Sequence, residues 1–287
     1  MSIVRYCGRQ FTEQEMMDIQ TLIKDNPDVR RAGLSRLVCE KLDWRSPNGL
    51  LKEMSCRVAM LRMQDDDLIR LPPPRNGNNN GKPYRRRTTQ AEPENRPLVT
   101  TVAALADLHL ELVTQRSQSH QWNEYIDRYH YLGYQPLPGA QLRYIAKANN
   151  QVLACLGFGA PAWKTAPRDN FIGWSHKQRE DNLNLIVNNA RFLILPWVQC
   201  KNLASRLLGM ATRRLADDWQ QTYNYRPVLI ETFVEKRFQG TCYKAANWQF
   251  LGFTQGRGKL GGNKAKLPIK SVWVYPIAKN FRRYICA

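Results

Sequence analysis

Tyr243 follows Gly240-Thr241-Cys242 at the start of a predicted helix, and Arg257 and Lys259 lie in the GRGK turn beyond it. A phenol beside a helix N-terminus and near cations ionises more easily than a free one. Tyrosine with arginine is a kit for cutting DNA through a covalent phosphotyrosine without a metal, two cations stabilising the charge that develops on the phosphoryl oxygens. The plainer alternative is a ring that packs and caps locally. Glu231 is the lone acid of the apolar run PVLIETFV. A buried carboxylate needs a partner, and Arg191 in the preceding strand is the expected cation, for either a structural pair or a catalytic one. His130, inside YHYLGY, is the acid/base candidate, with a hydrogen-bonded packing residue as the alternative.

A second group of residues suits polynucleotide binding. Trp163, Lys164, Arg168 and Trp174 share the segment AWKTAPRDNFIGWSH. Indoles there would stack on bases while cations follow the backbone. Lys264, Lys266 and Lys270 read as a phosphate-contacting arm, and Arg85, Arg86 and Arg87 as a basic cluster in a linker. Asp169 with Glu231 offers the alternative of a divalent metal; otherwise no cofactor is expected. The net charge is +19, unevenly spread. Residues 1–95 hold 17 Lys/Arg against 13 Asp/Glu; the rest hold 26 against 11, with no acid after Glu235. A field of that strength attracts polyanions through counterion release, although a solvated basic surface is the simpler explanation.

The elements that must position these residues follow from pattern. Thr12-Glu13-Gln14-Glu15 is a capping box that starts a helix near Glu13. Helices over 35–42 and 50–63 and a short strand at LIRLPPP complete a winged helix-turn-helix order, which would lay the third helix, with Lys52, Arg57 and Arg62, in a major groove. A small helical bundle that binds protein is the alternative. Residues 73–97, rich in Pro, Asn and Gly, read as a linker. Beyond it come helices over 103–115 and 122–129, then a hairpin over 141–158 turning at Asn-Asn. A loop carrying both tryptophans, a helix over 177–186 and a buried strand over 191–198 follow. A long amphipathic helix over 202–223 buries Leu203, Leu207, Leu208 and Leu215. Strands over 227–234 and 271–277 flank the helix that holds Tyr243. No apolar run is long enough for a membrane span and no apolar leader opens the chain, so no membrane partner is expected. Seven scattered cysteines without zinc-site spacing suggest reduced thiols in the cytoplasm.

Hairpin, strand, long helix, strand and helix ending in LGF resemble the GNAT acetyltransferase fold over about residues 120–278. In that family a Q/R-x-x-G-x-G/A turn holds the coenzyme pyrophosphate at a helix N-terminus. Gln199-Cys200-Lys201-Asn202-Leu203-Ala204 stands in its place, with Asn202 for the first glycine. The family often carries an acidic tyrosine four residues before the glycine that closes the acceptor helix; four before Gly252 is Trp248, which cannot act as that acid. Acetyl-CoA is therefore not expected. The motifs SRLVCEKLDW, YHYLGY, NNARFLILP, GTCYKAANW and LGFTQGRG resemble, over nearly the whole length, the family of protein A of Druantia anti-phage defence systems, whose relatives also occur near transposases. The expected fold class is α/β (α+β), with a winged helix over 1–72, a linker over 73–97 and a GNAT-like mixed sheet over 98–287. The resemblance implies a role in defence or mobile DNA. The expected function is DNA binding with nicking or strand joining through Tyr243, DNA and other defence-system proteins being the partners. The alternative is a non-catalytic sensor or loader.

Overall fold

A computed structural model describes residues 3–47, 49–74, 87–93, 97–256 and 267–287. Arg85, Arg86, Arg257, Lys259, Lys264 and Lys266 fall outside them. The chain divides into two compact units, Met1–Asn80 and Gly81–Ala287.

The first unit opens with a hairpin of β1 (Val4–Tyr6) and β2 (Arg9–Phe11), turned by Cys7 and Gly8 at positive φ. Three helices follow: α1 (Glu13–Asp25), α2 (Arg31–Lys41) and α3 (Glu53–Asp65). The capping box forms, Thr12 Oγ1 accepting from the Glu15 amide at 3.2 Å while Glu15 Oε2 accepts from the Thr12 amide at 3.0 Å. Phe11, Ile19, Leu34, Val38, Met60 and Met63 are buried together as the core. The strand expected at LIRLP does not form. Ile69 and Leu71 are buried against the helices, and the Leu71 amide donates to Gln64 Oε1 rather than to a ladder, just before three prolines. Proline offers no amide to continue a ladder. The outer face of α3 carries exposed Met54 and Val58 beside half-buried Arg57 and exposed Arg62; Lys52 stands at its N-cap.

The second unit is a mixed sheet flanked by helices. Its chain order is β3 (Leu98–Thr101), β4 (His109–Leu112), α4 (Arg116–Tyr129), β5 (Leu142–Ala148), β6 (Gln151–Gly159), α5 (Ala166–Ile172), α6 (His176–Asn182), β7 (Ile186–Ile194), β8 (Val198–Lys201), α7 (Leu203–Tyr223), β9 (Leu229–Glu235), α8 (Thr241–Ala245), β10 (Gln249–Phe253), β11 (Lys270–Pro276) and α9 (Phe281–Ile285). Seven strands form one sheet in the order β10-β11-β9-β7-β6-β5-β4, and β3 pairs β8 in parallel apart from it. Asn149 and Asn150, both at positive φ, turn the β5–β6 hairpin, as a type I′ turn requires. Leu203, Leu207, Leu208 and Leu215 are all buried from α7, each contributing about 1.5–3 kcal/mol.

Two expected elements differ. Residues 103–115 contain the edge strand β4 rather than a helix: Leu110 pairs with Ala146 of β5 and is buried, so tertiary pairing overrides the helix-forming composition of AALADL. The two-tryptophan segment holds α5, closed by Gly173 in the left-handed conformation at φ 82°. The end of the compositional linker is also docked. The Thr88 amide and hydroxyl donate to Glu124, Ala91 is fully buried, and Arg87 pairs with Asp127 at 2.8 Å.

The feature that shapes the site is the junction of β7 with β9. They pair in parallel only over Ile186–Asn188 and Leu229–Glu231. Beyond that point the ladder ends, and β7 bulges at Ala190 against β6, where Gly157 opposes Arg191 and Phe158 opposes Asn189.

Candidate functional site

On one side of the junction Arg168 and the carboxylates of Glu231 and Asp169 are matched. Arg168 and Glu231 are both wholly buried and pair at 2.9 Å. The Glu231 carboxylate also accepts from the Ala162 amide at 2.7 Å. Arg168 Nη1 donates to the Ala162 carbonyl, and its Nε and Nη2 converge on Asp169 Oδ1 at 3.0 and 2.8 Å. The indole of Trp174 donates to that same oxygen, and the Thr165 amide to the other. Burial pushes the Glu231 carboxyl up, while Arg168 and the Ala162 amide oppose the shift. The expected partner Arg191 is therefore replaced by Arg168, and both Glu231 oxygens are engaged within the protein. Arg168 and buried Trp174 are not a base-stacking platform; of that group only Trp163 and Lys164 are exposed. The Glu231 and Asp169 carboxylates are bridged by a guanidinium, and among the described residues no cluster of three His, Cys, Asp or Glu could hold a metal.

On the other side the diverging strands leave a cavity of about 400 Å³. Phe192 and Ile194 of β7, Thr232 and Val234 of β9 and Tyr243 of α8 line it, with Tyr129 and His130 at the end of α4. Tyr243 is 7% exposed, and its hydroxyl donates to Asn189 Oδ1 at 2.9 Å. Its ring meets Trp248 edge-on at 5.0 Å and Phe192 at 6.3 Å. Burial pushes the phenol up, not down. This corrects the expected easily ionised nucleophile: a helix of five residues supplies little field, and desolvation dominates. His130 Nδ1 accepts from the Leu132 amide at 3.2 Å. Burial, then Arg191, Arg237 and Lys270, lowers its pKa to about 4, so the ring is neutral near pH 7 and its Nε2 carries the proton.

Those three cations face little opposing charge. Arg237 and Lys270 share Glu235, at 3.3 and 3.6 Å. Arg191 donates to the Ala190 carbonyl, and among the described residues its buried Nε has no acceptor and no carboxylate pairs with it. Arg237 lies 4.1 Å over the Tyr131 ring and 5.0 Å over Phe238, and both rings are exposed. Lys270 is the first residue of β11 rather than part of a free arm. Arg237, Tyr131, Phe238 and Asn189 are functional candidates that sequence pattern alone does not pick out. The only signal for the first three is aromatic residues beside cations in segments separated by about a hundred positions.

The helix before the cavity ends differently from expectation. It closes at Asn247, at φ 63°, with the Trp248 amide donating to the Tyr243 carbonyl and the Asn247 amide to that of Lys244. This is a Schellman closure with asparagine in the left-handed position. Gly252 lies within β10 instead. Counting four residues back from the helix stop therefore reaches Tyr243, not Trp248. Asn202, before α7, is likewise left-handed at φ 65°. Asparagine thus stands at both of these helix ends in a conformation usually given to glycine, as it does at the β5–β6 turn. At Gly240, by contrast, a Cβ would meet the Trp273 ring at 2.8 Å in addition to a positive φ.

A family model, Druantia protein DruA, matches residues 63–265. No curated protein matches the chain. Among solved structures, a spermidine N-acetyltransferase SpeG chimera from Vibrio cholerae and hSSAT is 10% identical, covers 60% of this chain and 96% of its own, and has a TM-score of 0.39. The ribosomal-protein-S18-alanine N-acetyltransferase from Escherichia coli is 9% identical, with coverage of 60% and 98% and a TM-score of 0.36. SpeG from Vibrio cholerae in complex with manganese ions is 11% identical, with coverage of 61% and 96% and a TM-score of 0.38.

Proposed function

The chain belongs to the Druantia protein DruA family, and from that premise we propose that it is a cytoplasmic DNA-binding component of anti-phage defence whose second unit holds a DNA strand without cutting it through Tyr243. The observation that carries this reading is the excess of cations beside the cavity lining: Arg237 lies over the Tyr131 and Phe238 rings, the buried Arg191 Nε has no acceptor, and Glu235 is the one carboxylate that pairs with Arg237 and Lys270 among the described residues. Exposed Tyr131 and Phe238 supply ring faces beside those cations. Phosphates neutralise such a surplus and bases stack on such rings. In the first unit, exposed Arg62 on α3 suits phosphate contact, while Met54 and Val58 beside it suit a protein of the same defence system. Two of the residues that the sequence offers for phosphodiester chemistry are engaged inside the protein: Tyr243 is buried with its phenol pushed up, and Glu231 is sealed by Arg168.

Acyl transfer is the second reading, because Tyr243 stands four residues before the helix stop and lines the cavity as a neutral phenol able to give a proton. Two features oppose it. The backbone over Val198–Lys201, which would have to approach a pyrophosphate, is paired in parallel with β3. Asn202 also brings a side chain to the glycine position of that turn.

The decisive experiment measures anisotropy of a labelled single-stranded oligonucleotide with the full chain, beside calorimetry with acetyl-CoA. Saturable, salt-sensitive DNA binding without covalent adduct and without heat from acetyl-CoA is expected. Heat and turnover with acetyl-CoA would establish acyl transfer instead. A DNA adduct lost in Tyr243→Phe would restore the nucleophile.

A further inference from the structure

We propose that the cavity between β7 and β9 receives one unstacked nucleobase of the bound strand, the adjoining phosphate resting on Arg191 and Arg237. This rests on the DNA-binding reading and adds where the strand is held and in what state. Four observations meet there. The volume, about 400 Å³, lies within the roughly 300–1,000 Å³ of small-ligand sites, whereas a continuous duplex needs an open groove. The walls are apolar and aromatic, with Phe192, Tyr129 and Tyr243 contributing rings. The polar groups inside are few and nearly all engaged: Asn189 Nδ2 donates to the Gly157 and Arg191 carbonyls, Asn189 Oδ1 accepts from Tyr243, and the Thr232 hydroxyl donates to the Asn189 carbonyl. The His130 Nε2–H, held as a donor by the bond at Nδ1, makes no hydrogen bond among the described residues. A base brings ring-edge acceptors for such a donor.

The fourth observation concerns the exposed part of the cavity lining. His130 stacks on Tyr131 at 4.6 Å, Tyr131 meets Phe238 at 5.5 Å, and Arg237 covers both rings. That file of rings leads from the cavity to solvent, with Tyr131 41% and Phe238 47% exposed. A neighbouring base can stack there while its phosphate meets Arg237. Unstacking a base from single-stranded DNA costs little, and an aromatic pocket offsets it. A neutral apolar occupant would leave the cationic mouth unmatched; a free anion would leave the aromatic walls unused.

The test is photo-crosslinking of an oligonucleotide carrying 5-iododeoxyuridine to the full chain, with peptide mapping and parallel anisotropy. The expected crosslink falls on Tyr129, Tyr131, Phe192 or Phe238. Ala204→Trp, at the half-buried edge of the cavity, is expected to abolish the crosslinks to Tyr129 and Phe192 while leaving the oligonucleotide bound. Phe238→Ala, at an exposed position, is expected to weaken binding roughly tenfold without unfolding the chain. Tight binding with crosslinks confined to other segments, or crosslinks unchanged by Ala204→Trp, would overturn the pocket and leave DNA binding standing. Absence of any oligonucleotide binding would overturn both.

Discussion

Two clusters of charge flank the same strand junction and are built on opposite terms. Each guanidinium nitrogen of Arg168 has an acceptor, each carboxylate oxygen of Glu231 and Asp169 has a donor, and Arg179, whose Nε has no acceptor, still pairs with Asp169 at 3.8 Å. Around His130 the cations Arg191, Arg237 and Lys270 outnumber Glu235, their one carboxylate among the described residues, and a buried guanidinium N–H of Arg191 has no acceptor there. A buried charge that is matched holds a fold together; removing its partner is what costs energy. Charge left unmatched at a cavity mouth costs self-repulsion in the empty protein and is relieved by an anionic ligand. On the proposed reading, the contrast separates structural arginines from binding ones in a chain where composition makes them look alike.

The heaviest cost should fall on the matched side. Arg168→Met leaves the Glu231 carboxylate buried without its cation and should destabilise the second unit by about 3–5 kcal/mol, read as a shift in the urea midpoint. Oligonucleotide affinity of the protein that remains folded should not change. If affinity falls and stability does not, the two clusters have exchanged roles.

Next comes acid sensitivity on the unmatched side. The folded His130 has a pKa of about 4 against 6.5 when unperturbed. The unfolded chain therefore binds the proton first, and the stability present above pH 6.5 is lost as pH falls toward 4. At pH 5 the loss from this residue is about 2 kcal/mol. Carboxylates also titrate in this range, so the measurable quantity is the difference between wild type and His130→Gln, whose unfolding midpoint should decline less between pH 7 and pH 5. A variant that declines equally would show that His130 titrates alike in the folded and unfolded chain and that burial and the neighbouring cations do not act on it.

The mildest change concerns Tyr243. Tyr243→Phe removes one hydrogen bond to Asn189 and should lower stability by about 1 kcal/mol in thermal denaturation. Unchanged oligonucleotide binding and no missing covalent product would fix the phenol as a packing residue; disappearance of an acyl-transfer product would make it a proton donor.

Local signals in the sequence carry much of the fold. Thr12 with Glu15 marks a helix start, Asn149-Asn150 marks a hairpin, and the spacing of Leu203, Leu207, Leu208 and Leu215 marks the buried face of α7. Each depends on neighbours within a few residues. What stays illegible depends on partners far away. Residues 103–115 become an edge strand only because β5 is present to pair with them. Glu231 meets Arg168 across 63 positions, whereas strand order suggests Arg191. The helix stop is hidden for a different reason: Asn247 takes the left-handed conformation without announcing it, while Gly252 stands out as the obvious breaker. That five-residue displacement decides whether a tyrosine faces the cavity.

The unmatched cluster is probed most plainly by the salt dependence of single-stranded oligonucleotide binding, measured for the full chain and for Arg191→Gln/Arg237→Gln. The account predicts that wild-type affinity falls linearly in log–log form. It also predicts that the double variant binds more weakly, with a slope shallower by about 0.7 for each phosphate it no longer neutralises, while its unfolding midpoint is unchanged. Equal affinity and slope in the two proteins would contradict it.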